Sequence, residues 1–314
     1  MENLLFSLNV TMPLFLLMVL GALFRKLNWM DKDFASKLNS YVFKIALPAT
    51  LFKDLANADI AAAWDTKFVL FCFLVTCLSI LTAFLISCLW KDKTIQGEFV
   101  QASYRSSAAL LGTAIIQNIY GNSGMAPLMI VASVPLYNTA AVVVLSFLRP
   151  GQKAMDKERL KSTCVGILKN PLIIGIVVGL LWSLLRLPMP TILSKTVTNI
   201  GSTATPLGLM AMGASFELEK AFHSLKPAVT ASLIKLFGFC IVFLPIAIAL
   251  GFRNEHLIAI LVMLGSATTV SSYVMARNMG HEGTLTSSVV MITTLFVAVS
   301  MTFWLFLLKT IAVI

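Results

Sequence analysis

Charge is scarce in this chain of 314 residues, where Asp, Glu, Lys and Arg together make up 12%. Hydrophobic residues make up 58%. That balance excludes an ordinary soluble globular protein. Apolar runs of about 20 residues recur along the whole chain, and each is long enough to cross the hydrocarbon core of a bilayer. The composition therefore predicts an all-α polytopic membrane protein with no room for a soluble domain.

Metal-binding and catalytic patterns are also missing. The three histidines are far apart in or beside loops and show no metal-ligand spacing, so we expect solvated side chains and no metal. No nucleophile elbow, Walker loop, HExxH motif or pair of catalytic carboxylates is present. We therefore expect neither an enzyme nor a bound cofactor. The five cysteines lie in apolar runs without a C-x-x-C pair, which predicts buried thiols and no disulfide.

The net charge of +10 comes from basic residues scattered over short loops. These residues form no patch with interleaved aromatics, so we do not expect a nucleic-acid partner. Lys and Arg are instead concentrated in every second loop, which is the pattern of cytoplasmic loops. This bias predicts a multi-pass protein of the cell membrane with both termini outside.

Ten membrane spans are predicted from the apolar runs. They cover roughly 3–24, 34–55, 67–90, 98–120, 124–148, 164–187, 192–216, 225–251, 256–280 and 284–311. The longest hydrophilic connection, 149–163, is predicted to be a cytoplasmic linker. It divides the chain into two halves of five spans, 1–148 and 164–314.

The two halves share features in the same order. Pro48 corresponds to Pro206 at an offset of 158, and the pair Gly121 and Gly124 corresponds to Gly280 and Gly283 at an offset of 159. Because five is an odd number, a second five-span copy must be inverted relative to the first. Inverted repeats with interrupted helices at the midplane are typical of secondary transporters.

Two of the predicted spans, the fourth and the ninth, contain interruptions. Tyr104–Gly124 and Gly265–Gly283 are rich in small and polar residues that weaken a helix. Broken backbone in a bilayer persists only where protein or water satisfies it, and half-helix N-termini there would attract an anion. The alternative is that small residues let two continuous helices pack closely.

Three basic residues, Lys44, Arg105 and Lys235, fall inside spans, and no acidic residue lies comparably deep. Unmatched cations in a membrane indicate an anionic substrate or lipid phosphates reached by snorkelling. Snorkelling is the favoured interpretation for Lys44 and Lys235, whereas Arg105 directly precedes an interruption and is the stronger substrate candidate. Asn138 is either a substrate or ion ligand or a helix–helix hydrogen-bonding group.

Several motifs resemble the auxin efflux carrier family of membrane transport proteins, in its compact bacterial form. They are LPATLF around Pro48, GTAIIQNIYG from Gly112, PLYN from Pro135, SLIKLF around Lys235 and YVMARNMG from Tyr273. Their order and spacing extend the resemblance over essentially the whole chain.

The resemblance implies two inverted five-helix repeats with crossed, interrupted helices 4 and 9. It places the crossovers at Ser106–Ser107 and Ala267–Thr268. Spans 1, 2, 6 and 7 would form a scaffold, and spans 3–5 and 8–10 a transport unit that moves like an elevator within a homodimer. Many members carry a proline at the crossovers, and the plant carriers an asparagine beside it. This chain has neither, which argues against auxin as the substrate.

The sequence therefore predicts a secondary transporter in membrane lipid for a small organic anion, such as malate, malonate or a related weak acid. A membrane-embedded ligand receptor of the same fold is the alternative. Na⁺ and H⁺ both remain open as the coupling ion. The predicted substrate-binding residues are Arg105, Ser106, Ser107, Gly112, Asn138, Ala267, Thr268, Thr269 and Ser271. The predicted supporting or ion-coupling residues are Lys44, Gln117, Asn118, Lys235 and Ser272.

Overall fold

A computed structural model describes residues 2–56, 65–108, 113–121, 124–151, 157–217, 219, 221 and 224–314. Within these ranges all regular secondary structure is helical. The helices in the first half are α1 (Glu2–Lys26), α2 (Lys32–Tyr41), α3 (Leu47–Ala56), α4 (Thr66–Ser87), α5 (Gln96–Tyr104), α6 (Thr113–Tyr120) and α7 (Ala126–Phe147). Those in the second half are α8 (Lys157–Leu168), α9 (Pro171–Leu184), α10 (Thr191–Ser202), α11 (Ala204–Ser215), α12 (Leu225–Leu233), α13 (Phe239–Ala249), α14 (Asn254–Gly265), α15 (Val270–Asn278) and α16 (Thr284–Thr310).

Five stretches of the described chain are long and apolar enough to cross a membrane. They are Thr66–Ser87, Ala126–Phe147, Leu225–Ala249, Asn254–Asn278 and Thr284–Thr310. A sixth span results if Leu160–Leu168 and Pro171–Leu184 act as one unit, bent by 51° between its two parts. The protein is therefore a multi-pass membrane protein.

The surface of these helices is apolar. On α4, Leu70, Phe73 and Leu74 are about half exposed on the outside of the chain. A helix that is hydrophobic all round is stable only where its outer face meets lipid or more protein. Two cysteines also lie on this outer surface: Cys88 and Cys164 are exposed. The expectation that all five thiols are buried is wrong for these two.

Polar side chains begin several of the helices. Asp31 accepts a hydrogen bond from the amide of Phe34 at 2.7 Å, and Asp65 accepts one from the amide of Phe68 at 3.0 Å. Asn170, at the bend between α8 and α9, caps α9 by accepting a hydrogen bond from the amide of Leu172. These caps satisfy amides that the first helical turn leaves unpaired.

Contacts between helices fall into two groups. In one group, α1 and α2 pack on α11, and α3 packs on α9 and α10. In the other group, α4 packs on α5 and α7, α12 packs on α16, and α13 packs on α14. The groups meet where α1 contacts α16 and where α15 contacts α2 and α11.

Glycine permits the close approach of α1 and α11. A Cβ atom built on Gly213 would lie 1.9 Å from the carbonyl oxygen of Met18, and one on Gly21 would lie 2.2 Å from that of Met210. Such distances are impossible for real atoms, so the two backbones touch only because both positions lack a side chain.

We predict that Gly213→Ala destabilises the protein by about 1–3 kcal/mol, the usual cost of overpacking a core. Thermal unfolding of the detergent-solubilised protein measures this. Gly166→Ala is the matched control, because Gly166 is also helical but its Cβ would meet open space. An unfolding temperature for Gly213→Ala equal to that of Gly166→Ala would contradict the packing described for α1 and α11.

Candidate functional site

Two breaks in the helices meet inside the protein. The first break follows α5, where Arg105 adopts an extended conformation with φ −67° and ψ 139°. The second break lies between α14 and α15, where Ser266 and Thr269 are also extended. The amide of Ser107 donates a hydrogen bond to the carbonyl oxygen of Ala267 at 2.9 Å, so the two broken segments are joined directly.

Hydroxyl groups satisfy further backbone groups at the breaks. Thr268 Oγ1 donates to the carbonyl oxygen of Ala102 at 2.8 Å, and the amide of Thr268 donates to Thr293 Oγ1 at 3.0 Å. Ser106 Oγ shares a short hydrogen bond with Ser266 Oγ and donates to the carbonyl oxygen of Val262 at 3.3 Å. The alternative of two continuous, closely packed helices is therefore wrong.

Arg105 is buried beside these breaks, with 1% of its surface exposed. Nη2 donates to Asn138 Oδ1 at 2.5 Å and to Ser271 Oγ at 2.7 Å, and Nη1 donates to Met275 Sδ. Nε has no hydrogen-bond partner. Every one of these partners is neutral, so none of the described residues that bind the guanidinium balances its positive charge.

The first turn of α15 faces the same region. Thr269 occupies the N-cap position, but its side chain makes no capping hydrogen bond and instead lies 3.2 Å from Ser271 Oγ. The first turn contains no acidic residue. The amide of Ser272 donates to the carbonyl oxygen of Thr269 at 3.0 Å, which leaves the amides of Val270 and Ser271 to face an acceptor in the cavity. The helix dipole there favours negative charge.

A cavity of about 550 Å³ lies against the breaks, a size suited to a small molecule. One part of its lining comes from the breaks, α7 and α15, and the other part comes from α1, α3, α9, α10 and α11. The described lining residues are Leu14, Leu17, Leu47, Thr50, Leu51, Lys53, Asp54, Arg105, Ser106, Ser107, Val134, Tyr137, Asn138, Leu172, Gly201, Ser202, Ala204, Thr205, Pro206, Thr269, Val270, Ser271 and Val274.

The structure brings six of the predicted substrate-binding residues to this cavity: Arg105, Ser106, Ser107, Asn138, Thr269 and Ser271. Ala267 and Thr268 are buried in the second break, and their hydrogen bonds to Ser107 and Ala102 join it to the first break. Gly112 lies outside the described residues.

Of the predicted supporting residues whose side chains the structure describes, none lines the cavity. Gln117 is exposed on α6, and Asn118 belongs to α6 with a side chain outside the described part. Lys44 is exposed in a π-helical turn, Val42–Ala46. Ser272 is buried, and its carbonyl oxygen accepts a hydrogen bond from Gln101 Nε2 at 2.9 Å.

Lys235 does not snorkel to the membrane interface, so that interpretation is wrong for this residue. It is fully buried, and its ammonium donates to the carbonyl oxygens of Met263, at 3.3 Å, and Leu264. A π-helical turn, Ile234–Gly238, carries it. These two carbonyls lie at the C-terminal end of α14, so Lys235 places a positive charge on the negative end of a broken helix.

His281 also differs from its prediction as a solvated surface residue. It is 4% exposed, and Nε2 lies 3.0 Å from the carbonyl oxygen of Leu145. Burial lowers the pKa of this imidazole. His256 is partly exposed and lies 3.3 Å from Asp65, whereas His223 lies outside the described residues.

Sequence reasoning missed several lining residues. Asp54 and Lys53 follow the LPATLF motif at the end of span 2, and Tyr137 stands beside Asn138 in the PLYN motif. Tyr137 donates to the carbonyl oxygen of Ser106 at 3.2 Å and so holds the first break. The available signal was the place of Tyr137 within a quoted motif, and of Lys53 and Asp54 directly after one.

Comparison with known proteins places this chain in a family. The family described as "Membrane transport protein" matches residues 6–305. The chain belongs to this family. The match confirms the resemblance drawn from the sequence motifs and supports a role in transport.

Two similar members have transporter names. An "Uncharacterized transporter" of Methanothermobacter thermautotrophicus is 23% identical over 309 residues, covering 95% of this chain and 97% of that protein. "Uncharacterized transporter YfdV" of Escherichia coli K12 is 24% identical over 262 residues, covering 80% of this chain and 82% of that protein. The family is thus represented over nearly the full length of the chain.

We predict that, for any anion that the cavity binds, Lys235→Met lowers the affinity, although Lys235 does not line the cavity. Without the ammonium, the negative end of α14 faces the breaks uncompensated. A charge at a helix end contributes up to about 2 kcal/mol, so we expect a loss of affinity of up to roughly 30-fold. Ligand-dependent thermal stabilisation, titrated with malonate, malate, acetate and benzoate, measures the effect.

Two variants control this test. Lys235→Arg keeps the charge and should retain most of the affinity, while Lys226→Met removes an exposed cation from the same membrane span and should change nothing. Equal affinities in Lys235→Met and the wild type would show that the charge on α14 plays no part in binding.

Proposed function

We propose that this protein is a secondary transporter that moves a small organic anion across the cell membrane. The observation that carries this proposal is the uncompensated charge of Arg105, which lines a cavity where two helices are broken. A charge buried in a membrane protein is costly and is retained for function. A carboxylate entering the cavity would balance Arg105 and accept hydrogen bonds from Ser271 and from the first amides of α15.

Ten spans in two inverted repeats are part of the proposal. Gly121, Gly124, Gly280 and Gly283 all have positive φ, and they fall in two pairs at an offset of 159. Ser106 and Ser266 face each other at an offset of 160. Corresponding turns with the same left-handed conformation support a shared origin of the two halves. The concentration of Lys and Arg in every second loop supports the placement of both termini outside.

An elevator motion is proposed for the alternating access. The two groups of helix contacts correspond to a scaffold of spans 1, 2, 6 and 7 and a transport unit of spans 3–5 and 8–10. The cavity has walls from both groups. A substrate held by Arg105 would travel with the transport unit while the scaffold, proposed to form a homodimer, stays in place.

Uptake by proteoliposomes tests the transport proposal. Radiolabelled acetate, benzoate, malonate and malate form the panel, and we expect at least one to be taken up. Arg105→Ala should lower that uptake by tenfold or more, because the anion loses its charge partner. Ser271→Ala, a milder change on the same wall, should lower it several-fold.

Lys195→Ala serves as the matched control, since it removes an exposed cation of α10. Elution profile and unfolding temperature show whether each variant is folded. Wild-type uptake in both Arg105→Ala and Ser271→Ala would refute the site. Binding without counterflow of labelled substrate would instead identify a receptor.

A further inference from the structure

The cavity contains one acidic side chain among its described lining residues, Asp54. It lies on α3, in the wall opposite the broken helices. Lys53 Nζ lies 3.5 Å from Asp54 Oδ1, and the two side chains are 33% and 19% exposed. The charged side chains among the described lining residues are therefore the ion pair of Lys53 with Asp54 on α3, and Arg105 at the first break.

Among the described residues, few charged groups other than Lys53 face Asp54. The described elements that pack on α3 are α9, α10 and the π-helical turn Val42–Ala46. Helix α9 contains no charged residue, while Lys195 of α10 and Lys44 of the π-helical turn are exposed. Across the cavity, the described titratable groups are Arg105 and Tyr137. Lys53 is thus the close ionic partner of Asp54.

Protonation of Asp54 would change the charge of the cavity. With the carboxylate ionised, Lys53 and Asp54 cancel, and Arg105 leaves a net charge of +1. With the carboxylate protonated, Lys53 is released and the net charge becomes +2. An anion is bound more strongly in the second state, by Coulomb attraction in a partly desolvated site.

Linkage makes the effect reciprocal. If a proton on Asp54 raises anion affinity, a bound anion raises proton affinity by the same factor. Both contributions have the same sign, because the anion repels the ionised carboxylate and also competes for Lys53. Anion affinity should therefore rise as the pH falls through the range in which Asp54 titrates.

We propose that Asp54 is the proton-binding site that couples H⁺ to the anion, so that the protein is a proton–anion symporter. This inference rests on the proposed function and adds the coupling ion to it. The proton is held as the carboxylic acid of Asp54 on the scaffold. Movement of the transport unit exposes Asp54 to the other side of the membrane, where the proton is released as the anion leaves and Lys53 returns to its partner.

Proton uptake on anion binding tests the proposal directly. The purified protein in weakly buffered detergent, near neutral pH, is mixed with the panel carboxylate that the wild type takes up fastest, malonate being tried first. A pH indicator should report uptake of up to one proton per bound anion. Asp54→Asn should bind the anion without taking up a proton.

Two control variants sharpen the measurement. Asp54→Glu keeps a carboxylate and should restore proton uptake. Asp65→Asn removes an acid that caps α4 outside the cavity, and should leave proton uptake at the wild-type value. In proteoliposomes, accumulation driven by a pH gradient should fall tenfold or more in Asp54→Asn, and its exchange rate should no longer depend on pH.

The outcomes separate the two proposals. Anion binding by the wild type without proton uptake, or equal proton uptake by Asp54→Asn, overturns the role of Asp54 and leaves the transporter intact. Failure of the wild type to bind or carry any panel carboxylate overturns both. A misfolded Asp54→Asn does not rescue the idea, because the wild-type measurement alone can refute it.

Discussion

Backbone groups that lose their helical partners inside a membrane must find new ones, and this requirement determines the centre of the protein. Each unpaired group in hydrocarbon costs several kcal/mol. Here each break supplies partners to the other, through Ser107 with Ala267 and Thr268 with Ala102. Neither break would be tolerated alone, so the two interrupted helices form a single structural unit.

The same unit has an asymmetric charge. Both broken helices that end at the site have a cation at their C-terminal ends: Arg105 follows α5, and Lys235 contacts the last carbonyls of α14. The N-terminal end of α15 has no acid in its first turn. Lys235 thus compensates the negative end of α14, while the positive end of α15 and the charge of Arg105 have no acidic partner among the described residues, which supports the proposed anion in the cavity.

The cavity lies between this charged unit and the other group of helices, α1, α3, α9, α10 and α11. Its apolar side includes Leu14 and Leu172, and its one described ion pair is Lys53 with Asp54. A ligand in this position touches both groups of helices at once. The relative positions of the two groups would therefore depend on whether a ligand occupies the cavity and on whether Asp54 is protonated. Such a dependence is what the proposed coupled transport requires.

The amino-acid sequence alone determined the membrane class, the two segments that contain the breaks and the place of Arg105 directly before the first of them, because apolar length and small polar residues act locally. It did not determine where side chains point. Asp54 lies near the end of a predicted span, yet packing places it at the cavity. Lys235 was expected to snorkel, yet it binds carbonyl oxygens 28 and 29 residues further along the chain. Only the tertiary structure decides such contacts, because they depend on how distant helices are rotated and packed against one another.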